Sequence, residues 1–255
     1  MTDWNDVLRQ VETIARAAGT LLRTDDDALR AVNYEDQADV KLRADVDSEE
    51  LIRARLGAAF PWPVIGEEAG GDATLAHGGN PYWVVDPLDG THNYLRGVPH
   101  CAVSIGLLRG EEPVLGVIYD FNNGECFSAC AAGPLRINGA PARPRWAATI
   151  DQASIATGFP SAMERSPARV QELLSLLAPF KKARMLGSAA LAMAYVAAGR
   201  YDVYHEESVR LWDVAAGLAL VRASGGVTRL APSRDGITLA YDIWVAGRPE
   251  FIPAG

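Results

Sequence analysis

Two carboxylates three residues apart, Asp86 and Asp89, close an apolar run and lead straight into Gly90-Thr91. The run Trp83-Val84-Val85 reads as a buried strand. Pro87 has no N–H to give a ladder and is expected to stop that strand. Both Asp side chains then leave the strand end together on a tight turn. Gly90 can adopt backbone angles closed to other residues, which lets the amides of Gly90 and Thr91 point at one spot. Carboxylates beside free amides make a seat for a hard cation holding an anionic group, most simply Mg²⁺ and phosphate. The bland alternative is an Asp-capped turn with no chemistry.

Two further stretches repeat the pattern. Val64-Ile65 reads as a short strand ending in Gly66-Glu67-Glu68-Ala69-Gly70-Gly71, carboxylates framed by glycines, where a solvated loop is the alternative. Leu211-Trp212-Asp213-Val214-Ala215-Ala216-Gly217 places Asp213 at an expected helix N-cap, with small residues behind it for close packing. As a cap alone, Asp213 needs no function. Asp45 and Asp47 precede Ser48-Glu49-Glu50, which opens a helix to about residue 59. Asp45, Glu49 and Glu50 are expected there as complements of the helix dipole.

The elements that must position these residues follow from periodicity. Residues 4–23 carry one apolar helical stripe through Val7, Val11, Ile14, Ala18 and Leu22. The polar stretch 24–39 is expected as a loop and a candidate flap. Strands are expected at 101–109, 113–121 and 125–131, separated by the hairpin turns Arg109-Gly110-Glu111-Glu112 and Asn122-Asn123-Gly124. The first half is therefore two helices on a mainly antiparallel sheet. The Pro-containing stretch 133–145 is the best junction, dividing the chain into 1–140 and 141–255 with the acidic residues meeting between them. The second half alternates: strands at 153–157, 201–205, 226–230 and 240–246, and helices at 167–179, 187–198 and 213–224. That alternation indicates a layered α/β arrangement.

Composition narrows the class. The 255 residues are 49% hydrophobic and 22% charged, with net charge −8. Basic residues are scattered, which argues against nucleic acid as a partner. Cys101, Cys126 and Cys130 form no CxxC pair and read as reduced, buried thiols. The start Met1-Thr2-Asp3-Trp4-Asn5-Asp6 has no signal-peptide pattern and no apolar run reaches membrane-spanning length. A cytoplasmic protein is expected.

Together the motifs resemble the inositol monophosphatase family of Mg²⁺-dependent, Li⁺-sensitive phosphatases. The resemblance rests on Asp86-Pro87-Leu88-Asp89-Gly90-Thr91-His92-Asn93-Tyr94, on Trp212-Asp213-Val214-Ala215-Ala216-Gly217 running on to Ala223-Ser224-Gly225-Gly226, and on Gly66-Glu67-Glu68, in the family's order and spacing. It implies a layered α/β/α/β/α sandwich of the inositol monophosphatase/fructose-1,6-bisphosphatase type and a homodimer. It makes Glu67, Asp86, Asp89 and Asp213 metal ligands, with the Leu88 carbonyl as another, for two or three Mg²⁺ ions or Mn²⁺. It gives the phosphate to the amides of Gly90 and Thr91. Thr91 and Asp47 would help Glu67 orient the attacking water, and Ser188 and Glu206 would face the substrate's hydroxyl side. Departures are Ala44 where the family often has Thr three residues before the position of Asp47, the atypical Asp39-Val40-Lys41-Leu42, and no room after Phe251 for the final helix of many relatives.

The family's substrates include inositol phosphates, fructose 1,6-bisphosphate, 3′-phosphoadenosine 5′-phosphate and histidinol phosphate. Glu206, seven residues before Asp213, is an acceptor suited to a polyol or sugar phosphate, which is the expected substrate. Glu207 and Arg210 are read as surface charges, with Arg210 alternatively meeting a second anionic group. Arg184 is read as an interface residue. A catalytically silent relative would need a lost ligand, and every expected carboxylate is present.

Overall fold

The computed structural model of the chain describes residues 2–24, 27–35, 40–130, 133–159, 166–234 and 236–253. It opens with α1 (Trp4–Leu22), where the Asp3 side chain caps the N-terminus and the expected stripe, Val7 to Leu22, is buried. A short hairpin of β1 (Val32–Glu35) and β2 (Val40–Leu42) feeds directly into α2 (Arg43–Ala59). This helix begins earlier than expected, so Asp45 and Asp47 lie within it rather than ahead of it. Its N-cap is Leu42, which has no capping side chain; Asp45 Oδ2 accepts the Leu42 N–H at 2.8 Å instead. The stretch expected as a loop holds β1 and a single turn at Asp27–Arg30; residues 25–26 and 36–39, Asp39 included, lie outside the described residues.

The large sheet contains β3 (Val64–Gly66), β4 (Pro81–Asp89), β5 (Ala102–Arg109), β6 (Glu112–Asp120), β7 (Glu125–Cys130), β8 (Arg136–Ile137) and β9 (Ala140–Pro141), side by side in that order, with the short helix α3 (Thr91–Leu95) after β4. Only the β3–β4 pair is parallel. Pro87 does not end β4. Asp86 pairs with Ser104 and Asp89 with Ala102, so β4 carries one residue more than its partner between them. Pro87 falls in this bulge, where a ladder N–H is not needed.

The small sheet is ordered β11 (Lys182–Arg184), β10 (Ser154–Thr157), β12 (Val203–Arg210), β14 (Ala240–Ala246), β13 (Val227–Pro232). Its first three strands are parallel and its last two antiparallel. Between the sheets lie α5 (Ala189–Ala197) and α6 (Leu211–Ser224), both mainly apolar and mostly buried, as helices enclosed on several sides must be. α1 and α2 cover the outer face of the large sheet around Trp83, Val85, Ile105 and Leu107. α4 (Pro167–Leu177) places Leu176 and Leu177 against the outer face of the small sheet at Ile155 and Val203. The layers are therefore α/β/α/β/α, as expected.

A close helix–sheet approach lies at Gly106 and Gly116, which face each other across β5 and β6. A Cβ on Gly106 would stand 2.9 Å from the Ala216 nitrogen, and one on Gly116 would overlap the Ala216 carbonyl. These glycines let α6 sit on the strands themselves. Cys101, Cys126 and Cys130 are free and buried. Among the described residues no helix is long and apolar enough to cross a membrane.

Candidate active site

The bulged end of β4 delivers Asp86, Leu88 and Asp89, at 2%, 0% and 8% exposure. Gly90 follows at φ 89°, and a Cβ there would stand 2.9 Å from the His100 carbonyl, so both conformation and space call for glycine. Thr91 opens α3, and its hydroxyl lies 2.9 Å from Asp45 Oδ1 and 3.0 Å from the Leu88 carbonyl. Glu67 follows β3, with its N–H on the Val85 carbonyl at 3.2 Å, beside the β4 end. Asp213 arrives from the other half. It is not the N-cap of α6; Arg210 is. Asp213 is the third helical residue and accepts the Arg210 N–H at 2.8 Å.

Asp89 ties the halves together. It accepts the Ser188 hydroxyl and the N–H groups of Ala189 (3.2 Å) and Ala190 (2.9 Å), at the N-terminus of α5. Ser188 in turn caps α5, accepting the Leu191 N–H at 3.2 Å. Its hydroxyl is thus engaged on both sides; it lines the cavity but holds Asp89 in place. Asn93 makes a second tie, donating to the Leu186 carbonyl at 2.7 Å and the His100 carbonyl at 2.8 Å.

Like charges crowd this junction. Burial first, and then Asp213, Asp45 and Glu68, push Glu67 well above the usual carboxylate range. Burial, followed by Glu67, Asp89 and Asp213, does the same to Asp86. Burial raises Asp89 to about 6 against the pull of its hydrogen bonds. Asp213 is raised to about 8, by burial and then by Asp89. Glu67 and Asp213 repel each other although they come from different halves of the chain. No three acidic, His or Cys side chains among the described residues already form a finished metal cage. Asp86 and Asp213 are turned to local donors, Asp86 to the Leu88 N–H at 3.0 Å, and Asp89 to the start of α5. The donor set still fits a hard cation: it is oxygen only, Asp86 and Asp89 are buried and Glu67 and Asp213 half-buried, and the repulsion among them is what a divalent ion relieves.

Asp47 does not face Thr91. It sits on the outer side of α2, paired with Arg43 at 3.1 Å, with 31% of its side chain exposed. Asp45 occupies the inner side at 1% exposure, and burial raises it to about 7. Residues two apart on a helix point to different faces, so only one of the two could reach the site. In this register the residue three before the inward Asp is Leu42 rather than Ala44. Glu49 is not a dipole complement at the surface either: it is 2% exposed and accepts the N–H groups of Glu68 and Ala69. The signal for both was the i, i+4 spacing of Asp45 and Glu49, which gives them one shared face.

A cavity of about 300 Å³ opens from Asp89 and Asp213 and is lined also by Ser188, Tyr204, Glu206 and Arg210. Tyr204 donates its hydroxyl to Glu206 at 3.1 Å, and burial raises Glu206 to about 7. Gly158 lies so close that a Cβ would overlap the Glu206 carboxylate. Glu207 pairs with Arg169 on α4 at 2.5 Å. Arg210 stacks over the Trp212 ring, 5.8 Å from its centre. Arg184 is exposed at the edge of the small sheet.

The model of the inositol monophosphatase family matches residues 3–250. A Xylella fastidiosa protein named Nus factor SuhB is 38% identical over 216 residues, 83% of this chain and 77% of that protein. The inositol-1-monophosphatase of Rhizobium meliloti is 36% identical over 197 residues, 76% of this chain and 73% of that enzyme. Among solved structures, inositol monophosphatase from Anabaena superposes with a TM-score of 0.82 at 30% identity, covering 98% of this chain and 94% of that one. The extragenic suppressor protein suhB from Bartonella henselae gives 0.82 at 31% identity, covering 96% and 95%.

Proposed function

The chain belongs to the inositol monophosphatase family, and on that premise we propose that it is a Mg²⁺-dependent phosphomonoesterase acting on a small polyol or sugar phosphate. The observation that carries the reading is the meeting of Glu67, Asp86, Asp89 and Asp213 from two halves of the chain: Asp213 raises Glu67, Asp89 raises Asp213, and all three raise Asp86. These carboxylates and the Leu88 carbonyl would hold the metal. When bound, the cation offsets the phosphate's charge and acidifies a water molecule. The amides of Gly90 and Thr91 would hold the phosphate oxygens at the start of α3. Asp45 accepts the Thr91 hydroxyl proton, which leaves a Thr91 lone pair to receive a hydrogen from the attacking water. Glu67 takes the water's other proton as its oxygen attacks phosphorus; the departing alcohol oxygen takes a proton from solvent in the open cavity, and Glu67 returns its own proton to solvent. Glu206, oriented by Tyr204, accepts from hydroxyls of the leaving group.

The test is phosphate release from inositol 1-phosphate, fructose 1,6-bisphosphate, 3′-phosphoadenosine 5′-phosphate and histidinol phosphate, with Mg²⁺ and with EDTA. A polyol or sugar phosphate should lead, EDTA should abolish release, and millimolar Li⁺ should inhibit. Preference for the nucleotide or the amino alcohol would move the substrate within the family. A second reading follows from the relatives named Nus factor SuhB: the chain also has a role of that kind, independent of hydrolysis. Asp89→Asn, which removes a proposed ligand, separates the two, since such a role would survive it. The expected assembly is a homodimer, for which the exposed Met185 and Leu186, directly after β11, offer apolar area.

A further inference from the structure

One turn beyond Asp45 on the inner side of α2, beside Ser48, stands Glu49, buried to 2% exposure. Its carboxylate accepts the backbone N–H groups of Glu68 at 2.8 Å and Ala69 at 3.0 Å. Arg53, one turn further, donates Nε to Glu49 at 2.6 Å. The rest of its guanidinium reaches the Val64 carbonyl at 3.2 Å and the Gly70 carbonyl at 2.5 Å. Glu49 therefore holds N–H groups of the turn after β3, and Arg53 holds carbonyls on both sides of it. A Cβ on Gly66 would overlap the Glu49 carboxylate, so the glycine before Glu67 makes room for this grip. The same helix is fixed to the end of β4 by Ser48, whose hydroxyl donates to the Pro87 carbonyl at 3.0 Å, and to Thr91 by Asp45.

We propose that the Glu49–Arg53 pair is a positioning device for the metal centre: it fixes the turn carrying Glu67 at a set place relative to Asp86 and Asp89, and thereby sets the affinity of the metal position that Glu67 serves. The inference rests on the reading of Glu67 as a metal ligand. A ligand on a three-residue turn, Glu67 to Ala69, is only as well placed as the turn. Here the turn's amides and carbonyls are held by a buried, charge-assisted network, and partners of this kind behind a ligand govern metal affinity.

Glu49→Gln keeps the side chain's shape but loses the charge that pairs with Arg53 and one acceptor oxygen. Arg53→Lys keeps the charge but loses the fork that reaches two carbonyls. The experiment is Mn²⁺ titration followed by electron paramagnetic resonance, with hydrogen exchange of the Glu68 and Ala69 amides measured in the metal-free protein. Glu49→Gln should weaken one class of Mn²⁺ site about tenfold, leave another unchanged, and speed exchange at both amides. In assays, kcat should fall at low Mg²⁺ and recover at saturating Mg²⁺ with substrate KM unchanged. Arg53→Lys should move each readout in the same direction by less, and it carries the test if Glu49→Gln does not fold. Variants that melt earlier but titrate Mn²⁺ like the wild type would overturn the proposal and leave a structural clamp. A wild-type protein that binds no Mn²⁺ would overturn the metal reading, and this inference with it.

Discussion

At the residue scale, the proposed chemistry depends on which Asp of α2 serves Thr91. Both were visible in the sequence, and the resemblance pointed to Asp47. The register of the helix decides otherwise, and that register was hidden because the N-cap of α2, Leu42, has no capping side chain. Asp45 supplies the cap from inside the helix through the Leu42 N–H, with its other oxygen on Thr91. Asp45→Asn should therefore lower kcat about 100-fold, the lower end for loss of a group that manages protons at the reacting water. Asp47→Asn, which breaks only an exposed pair with Arg43, should leave kcat unchanged. Steady-state kinetics on the two variants decides it, and the reverse order would return the role to Asp47. The residues of Asp86-Pro87-Leu88-Asp89-Gly90-Thr91 were legible because their types and spacing are local. Glu49 was not, since its partners lie 19 and 20 residues away.

At the element scale, α6 determines where Asp213 stands. The helix rests on the paired glycines of β5 and β6, and its approach is limited by backbone rather than by a side chain that could move aside. Gly116→Ala should cost about 1–3 kcal/mol in urea unfolding, as overpacking does, and should weaken metal binding because Asp213 rides on the displaced helix. Gly57→Ala is the control. A Cβ there meets nothing within 4 Å in α2, and the change should stabilise by roughly 0.5–1 kcal/mol through helix propensity. Strands and helices were largely readable from periodicity, and the cases that departed share a cause. β4 continues through Pro87 because a bulge removes the need for its N–H, and Asp213 moves from N-cap to third residue because β12 runs on to Arg210. Both are set by pairing with distant strands, which local pattern does not carry.

At the scale of the whole molecule, the two halves bring their acidic residues to one buried junction, and that arrangement has a pH signature. Asp45, Asp89, Asp213 and Glu206 have folded-state pKa values raised to about 7, 6, 8 and 7, each chiefly by burial. A carboxylate raised in the folded state binds more protons there than in the unfolded chain, so stability falls with rising pH between the unfolded value, roughly 4, and the folded one. The metal-free protein should thus lose stability from about pH 4 to about pH 8, and a bound cation should offset the loss. Thermal unfolding in EDTA and in Mg²⁺ checks this. The Mg²⁺-induced rise in Tm should grow from pH 6 to pH 8, reaching about 5–10 °C at a hundredfold excess over Kd. A rise that is flat or shrinks with pH would mean that the cation binds elsewhere.

The most direct test of the central claim, that carboxylates from both halves of the chain jointly hold the metal that drives hydrolysis, is the Mg²⁺ dependence of phosphate release from inositol 1-phosphate by the wild type and by Asp213→Asn. The account predicts saturable, EDTA-sensitive release by the wild type, and a variant that stays folded but needs far more Mg²⁺ or releases nothing. Release that persists in EDTA, or an Asp213→Asn variant with the wild-type Mg²⁺ curve, would contradict it.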